Sequence, residues 1–437
     1  MRMRDEPQPH TVATGSPPQP KSSLSVLAVI SLLVGCGVGL ICGLFRLSLE
    51  HAEIWRNEFL NWMHHWNLAG MLCVSGTCSA AVALAAWLVR RFAPLASGSG
   101  IPHVEVVLNE ELPPAPPQLI LVKFSGGLLA IGSGLALGRE GPSVQMGASL
   151  GYLLGGSFRR NEPDCRLLLA AGAGAGLSVA FNAPIAGAVF VLEELTRRFD
   201  TRTAIVTFGA SASAIAVGRI LFGTTPDFQV VSLPYAGFGC LSVCLVLGVI
   251  AGLLGVAYNR SVLSVLTAAN GLTHLPIVVR AAGVGAAMGL LGWCAPGLLG
   301  GGDQITQRAL TGSEGGGLLV AVFLLRFALG PVSYAAGTPG GLFAPLLVLG
   351  AQSGLLFGNY AHHWFPNLAG EPISYAVTGM AAFFTAVVRA PLTGIVLVVE
   401  LTGCNTQLLP MLAACFAAML VPTLLGNPPI YDSLQKE

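Results

Sequence analysis

The sequence predicts an all-α polytopic membrane protein with an internal duplication, and three observations carry that expectation. Of 437 residues, 53% are hydrophobic and 10% charged, with a mean hydropathy of +0.71, whereas a soluble domain is about a quarter charged. Apolar runs of about 20 residues, long enough to cross the hydrocarbon core, recur along the chain. The second half also repeats landmarks of the first.

Segment 1–22 is polar and proline-rich, with Arg2, Arg4 and Lys21. It reads as a disordered cytoplasmic tail rather than a cleaved signal. A first apolar run covers 24–45, a polar, tryptophan-rich connection follows over 50–67, and a second run over 69–89 closes on Arg90-Arg91. The positive-inside rule then places the N-terminus and Arg90-Arg91 in the cytoplasm and the Trp55 to Trp66 connection outside. Between the arginines at 159, 160 and 166 and those at 197, 198 and 202 there is too little apolar length for two crossings. Helices that enter the bilayer without spanning it are expected there, and glycine, at 56 residues, supports broken and closely packed helices. Further runs cover 203–222 and 238–256 and continue towards 425, after which 427–437 forms a short C-terminal segment with no regulatory domain expected.

One constant shift superposes Pro142 on Pro345, Gly134 on Gly337, Gly138 on Gly341 and Gly147-Ala148 on Gly350-Ala351. A slightly longer shift pairs Gly172 with Gly379, Ala183-Pro184 with Ala390-Pro391, Gly187 with Gly394 and Glu193 with Glu400. The proline matches and the shared A-P-x-x-G-x-V-x-V-x-E pattern define repeat halves of about 23–223 and 236–426, joined near 224–234, within one transmembrane domain over 23–426.

Several function classes fall away. A net charge of +1 gives no basic patch for nucleic acid. The cysteines (36, 42, 73, 78, 165, 240, 244, 294, 404 and 415) lie mostly inside apolar runs, as buried small side chains do, rather than as disulfides or metal ligands. The pairs His64-His65 and His362-His363 sit in tryptophan-containing, interfacial stretches. Gly172-Ala173-Gly174-Ala175-Gly176 lacks the preceding strand of a dinucleotide turn, and the glycine-rich stretch up to Glu140 lacks the ending of a phosphate loop. With no H-E-x-x-H either, the chain does not read as an enzyme.

The charge that needs a reason is Glu140, in Gly138-Arg139-Glu140-Gly141-Pro142 within an otherwise apolar run. An intramembrane ionisable residue marks function by default, although a structural pair with Arg139 is the alternative. Repeat transporters place their sites at the repeat interface, where broken helices expose their ends. Glu140 and its counterpart Gly340-Gly341-Leu342-Phe343-Ala344-Pro345 each combine a glycine-rich turn with proline near a helix start. Two converging helix N-termini would bind an anion without lysine or arginine.

Gly98-Ser99-Gly100-Ile101-Pro102, Gly138-Arg139-Glu140-Gly141-Pro142 and Gly341-Leu342-Phe343-Ala344-Pro345 resemble, in order and separation, the three signature motifs of the CLC chloride channels and chloride/proton exchangers. Lys123-Phe124, Phe181-Asn182-Ala183-Pro184 leading to Glu193-Glu194, and Tyr431 extend the resemblance over 24–434. It implies an inverted repeat of tilted and partly re-entrant helices. By the same resemblance, Ser99, Tyr431 and the backbone amides of Leu342 and Phe343 form the central chloride site, Glu140 is the gating glutamate and Glu194 the internal proton-transfer residue. Passive members commonly carry a nonpolar residue at the Glu194 position, so the resemblance implies a chloride/proton antiporter of the bacterial exchanger type; a voltage- or pH-gated chloride channel is the alternative. Two chlorides per proton, no cofactor, a homodimer with one pore per subunit, and the bacterial plasma membrane are implied likewise.

Plainer readings stand beside each role. Glu194 could pair with Arg197 or Arg198 at an interface, Ser99 could be a turn serine, and Tyr431 an interfacial aromatic. Glu193 adjoins Glu194, and position relative to Phe181-Asn182-Ala183-Pro184 selects Glu194. Lys123 and Glu105 are candidates for a buried pair.

Overall fold

A computed structural model describes residues 23–230, 232–234, 237, 239–313, 316–368 and 370–436. The expected tail over 1–22 lies outside the described residues. Among them the secondary structure is helical, with only two isolated β-bridges.

Helix α1 spans Leu24–Met63 and, after a short turn at His64–Trp66, α2 spans Asn67–Phe92. The polar connection expected over 50–67 is therefore mostly helix. No glycine or proline interrupts residues 44–69, and Arg46 and Glu50 pair one turn apart at 3.0 Å, so polarity here marks the end of the membrane and not the end of the helix. At 40 residues, α1 is roughly 60 Å long, about twice the hydrocarbon thickness. The chain reverses at Asn67, whose φ of 48° lies in the left-handed region. Trp55 and Trp66, beside this turn, are 67% and 60% exposed, as an interfacial belt requires.

The short helix α3 (Ile101–Leu108) and α4 (Gln118–Gly132) lead to α5 (Glu140–Ser157) and α6 (Glu162–Phe181). α6 is buried along almost its whole length. Asn182, at φ 51°, ends α6 within the buried interior, after which α7 (Pro184–Phe190) continues into a π-turn over Val191–Leu195. Together α7 and the π-turn are too short to cross, as the spacing of arginines predicted. α8 (Thr201–Phe222) completes the first half.

The second half runs through α9 (Cys240–Gly271), α10 (Ile277–Cys294), α11 (Asp303–Thr311) and α12 (Gly316–Tyr334). It ends with α13 (Phe343–Trp364), α14 (Pro372–Val388), α15 (Pro391–Thr402), α16 (Leu408–Leu424) and α17 (Ile430–Leu434).

The matched glycines make matched contacts. A Cβ on Gly147 would lie 2.2 Å from the Gly172 carbonyl oxygen, and one on Gly172 2.2 Å from that of Gly147. Gly350 and Gly379 repeat this at 2.5 and 2.4 Å. α5 on α6 and α13 on α14 thus approach backbone to backbone, as small residues permit.

The matched glutamates also exchange roles. Pro184 and Pro391 open α7 and α15. The Glu400 carboxylate accepts the N–H groups of Ile185 and Ala186 at 3.1 and 2.7 Å. Glu193 accepts those of Leu392 and Thr393 at 3.0 and 2.7 Å, together with the Thr393 hydroxyl. Each half therefore caps the broken helix of the other, satisfying donors that a helix start leaves free.

All ten cysteines are free. The expectation of burial holds for Cys42, Cys78, Cys165, Cys240, Cys244 and Cys415, but Cys36, Cys73 and Cys294 are exposed. An apolar run that faces lipid presents such side chains outward.

Candidate anion site and its mouth

The three glycine-rich motifs are tied to one another through their backbones. Gly138 and Gly341 exchange N–H to carbonyl bonds at 2.9 and 2.8 Å. Gly98 donates to Thr338 at 3.1 Å and accepts from Gly340 at 3.0 Å. A Cβ on Gly141 would stand 2.8 Å from the Ser99 carbonyl oxygen, so only glycine lets the loops approach this closely. Gly98 and Gly100 also have φ of 60° and 82°, where any other residue is strained.

Glu140 is the first residue of α5 and fully buried. Its side chain folds back between the two bridged loops. One carboxylate oxygen accepts the Ala344 N–H at 3.0 Å, in the first turn of α13. The other is buried with no protein partner. A carboxylate thus already occupies the N-terminal end of α13, a place that favours negative charge. Among the described residues no ion pair joins it to Arg139. That guanidinium turns instead to Asp227 at 3.1 Å and to the Ala180 carbonyl at 2.9 Å.

Ser99, Leu342, Phe343 and Tyr431 are all buried. Ser99 Oγ accepts the Ile101 N–H at 3.1 Å. Leu342 caps α13 and Phe343 is its first residue, so their N–H groups have no acceptor within the helix. The Phe343 ring sits 5.8 Å from the Tyr431 ring and 4.8 Å from Phe384. Tyr431 Oη is buried without a protein partner, a donor that costs about 1–3 kcal/mol unless something accepts from it. Sequence reasoning missed Tyr334, whose hydroxyl accepts the Ser99 N–H at 3.4 Å; a tyrosine late in an apolar helix carries no local signal of that contact.

Glu194 lies in the π-turn and is 4% exposed. Its neighbour Glu193 points elsewhere and caps α15. Arg197 stands 3.9 Å from Glu194 and 2.9 Å from Asp432, the neighbour of Tyr431. Part of the plainer reading therefore holds: Glu194 does face Arg197, although at a loose distance that leaves one carboxylate oxygen unbonded. Glu105 hydrogen-bonds Gln435 at 2.5 Å and not Lys123. The fully buried Lys123 donates to the Ala96 and Gly98 carbonyls at 3.0 and 2.8 Å, holding the Ser99 turn in place. The expected Lys123–Glu105 pair is absent among the described residues because backbone oxygens lie closer to the ammonium.

Above Glu140 opens a cavity of about 310 Å³ that reaches from Gly138 and Ala344 to Arg46, Asp227 and Asp303. Arg46 pairs with Glu50 at 3.0 Å and with Asp227 at 2.8 Å. Asp303, at the start of α11, and Glu50 each stand 3.9 Å from Arg139. These partners are far apart in sequence, and nothing local announces them.

A family model described as voltage gated chloride channel matches residues 81–423. The chain belongs to that family. A relative from Salmonella arizonae, the H(+)/Cl(-) exchange transporter ClcA, is 36% identical over 424 residues, covering 92% of this chain and 87% of the relative. The transporter of the same description from Klebsiella pneumoniae is 37% identical over 421 residues, covering 92% and 88%. Among solved structures, a slow cyanobacterial Cl-/H+ antiporter superposes with a TM-score of 0.90 at 33% identity, covering 94% of this chain and 97% of that one. The all-helical fold expected from the motifs is thereby shared along nearly the whole chain.

Proposed function

We propose that this chain is a secondary active transporter that exchanges chloride for protons across the membrane. The observation that carries the reading is the Glu140 carboxylate seated on the α13 N-terminus, one oxygen on the Ala344 N–H and the other unpaired. An anionic side chain and a chloride ion compete for the same partial charges. Ionised, Glu140 holds the place; protonated, it loses its attraction to the helix end and yields to chloride. One side chain thereby links the two ions, and partial charges hold an anion without trapping it.

In this reading, chloride is held by the hydroxyls of Ser99 and Tyr431 and by the amides of Leu342 and Phe343. Glu194 passes protons between Glu140 and the cytoplasmic face, where Arg197 and Asp432 surround it. Chloride and protons are the substrates, and no cofactor has a part. The sequence halves 23–223 and 236–426 act as two repeats that bring α5 and α13 together. The proposal includes a homodimer with one pore per subunit, two chlorides per proton, and a bacterial inner (plasma) membrane with the N-terminus cytoplasmic.

Proteoliposomes with a chloride gradient test it through proton uptake. Glu140→Ala is expected to keep chloride flux and abolish chloride-driven proton uptake. Glu194→Gln is expected to do the same by removing the inner relay. Proton uptake that persists at the wild-type ratio in either variant would remove that residue from the mechanism.

A further inference from the structure

The segment that joins the two halves does more than connect them. It leaves α8 at Gly223, and its residues 225–228 line the cavity above Glu140, with Asp227 in the wall. The two Asp227 oxygens go to different helices: one accepts from Arg46 of α1 at 2.8 Å, the other from Arg139, beside Glu140, at 3.1 Å. The Asp227 side chain is only 9% exposed, so solvent screens these contacts weakly.

We infer that Asp227 is a positioning residue that sets the affinity of this mouth for chloride, by occupying two guanidinium groups that would otherwise attract the ion. The inference rests on the exchange reading only for the identity of the anion. Both arginines have anchors that do not depend on Asp227. Arg139 is held by the Ala180 carbonyl and Arg46 by Glu50, and the Arg46 guanidinium lies 4.3 Å over the Phe222 ring. One Arg46 nitrogen is already buried without a partner.

The joining segment has its own anchors as well. Phe228 donates its N–H to the Leu401 carbonyl, and Asn182 donates to the Thr225 carbonyl, both at 3.0 Å. Removing the Asp227 charge should therefore leave loop and arginines where they are. What changes is the field. Three arginines in the cavity wall, Arg46, Arg56 and Arg139, face Glu50, Glu53, Asp227 and Asp303 in addition to Glu140. Neutralising Asp227 removes a negative charge close to the path and leaves Arg46 balanced by Glu50 alone and Arg139 by the looser contacts to Glu50 and Asp303, so the wall becomes more positive in a confined space where such charges act strongly.

The test uses the full chain in uniformly oriented membrane vesicles, right-side-out and inverted, with chloride uptake titrated at fixed ionic strength. Asp227→Asn is expected to lower the chloride KM by about fivefold on the Glu140 face. The KM on the opposite face and the proton-to-chloride ratio should stay as in wild type. Asp227→Glu should restore the wild-type KM, and Arg46→Gln should raise it on the same face.

A strap of purely structural value would instead lower turnover from both faces alike. An unchanged or raised KM in Asp227→Asn, equal changes on both faces, or shifts of the same sign in Asp227→Asn and Arg46→Gln would each overturn the inference. Should Asp227→Asn fail to accumulate, an unaltered KM in Arg46→Gln would overturn it alone. Loss of proton coupling in the wild-type vesicles would sink the exchange reading while leaving the affinity comparison interpretable.

Discussion

At the residue scale, the seat of Glu140 is made by the absence of side chains around it. A Cβ on Gly138 would fall 2.1 and 2.2 Å from the two Glu140 carboxylate oxygens and 2.4 Å from the carbon between them. Those nearest atoms are the far end of a flexible side chain, so Gly138→Ala should fold and displace the carboxylate from the α13 N-terminus. The expected outcome is continued chloride flux with at least a twofold weaker proton coupling, since the competitor no longer reaches its place. Added to Glu140→Ala, the same substitution should have little further effect on flux, because the atoms it strikes are gone. Additive losses in the double variant would show that Gly138 acts through its backbone pairing with Gly341 instead. Glu140 was legible in the sequence because a charge in an apolar run has few explanations, and Ser99 because its motif is specific. Asp227, Arg46 and Tyr334 were not legible: each acts through a partner remote in sequence, and single-residue chemistry gives no hint of the meeting.

At the scale of elements, broken helices are what bring free backbone N–H groups into the buried interior, and each break has to be held. α7 and α15 are held by the reciprocal carboxylates Glu400 and Glu193. Charge-assisted capping bonds of this kind are worth about 1–2 kcal/mol at a helix start. Glu193→Ala and Glu400→Ala should each lower the thermal unfolding midpoint of detergent-solubilised protein by several degrees. The loss should be larger for Glu193, which also accepts the Thr393 hydroxyl. Unchanged midpoints in both would mean that water replaces the carboxylates without cost. The shared A-P-x-x-G-x-V-x-V-x-E pattern announced these two elements as a matched pair, although not that they cap each other. The helix over 50–63 was not foreseen, because a polar stretch between apolar runs looks like a loop unless its lack of glycine and proline is given weight.

At the scale of the whole molecule, the matched halves account for how one chain would build the proposed anion site with few charges. The halves contribute one helix start each, α5 and α13, and the Gly138–Gly341 bridge sets them against each other. The same arrangement leaves Glu140 between a mouth lined by ion pairs and an inner cluster around Glu194. The broad architecture was readable from composition, run length and the repeated prolines, since these follow from the membrane as solvent. The mouth was not, because its chemistry depends on how the joining segment lies across the two halves.

The central claim is that protons and chloride move in obligatory exchange through Glu140. The most direct measurement is the reversal potential of the reconstituted wild-type protein in a planar bilayer, with chloride fixed and a pH gradient imposed. For two chlorides exchanged per proton, the proton carries one third of the charge moved, so the reversal potential should shift by about 20 mV per pH unit. A reversal potential that stays at the chloride equilibrium value whatever the pH gradient would contradict exchange and leave a passive chloride channel.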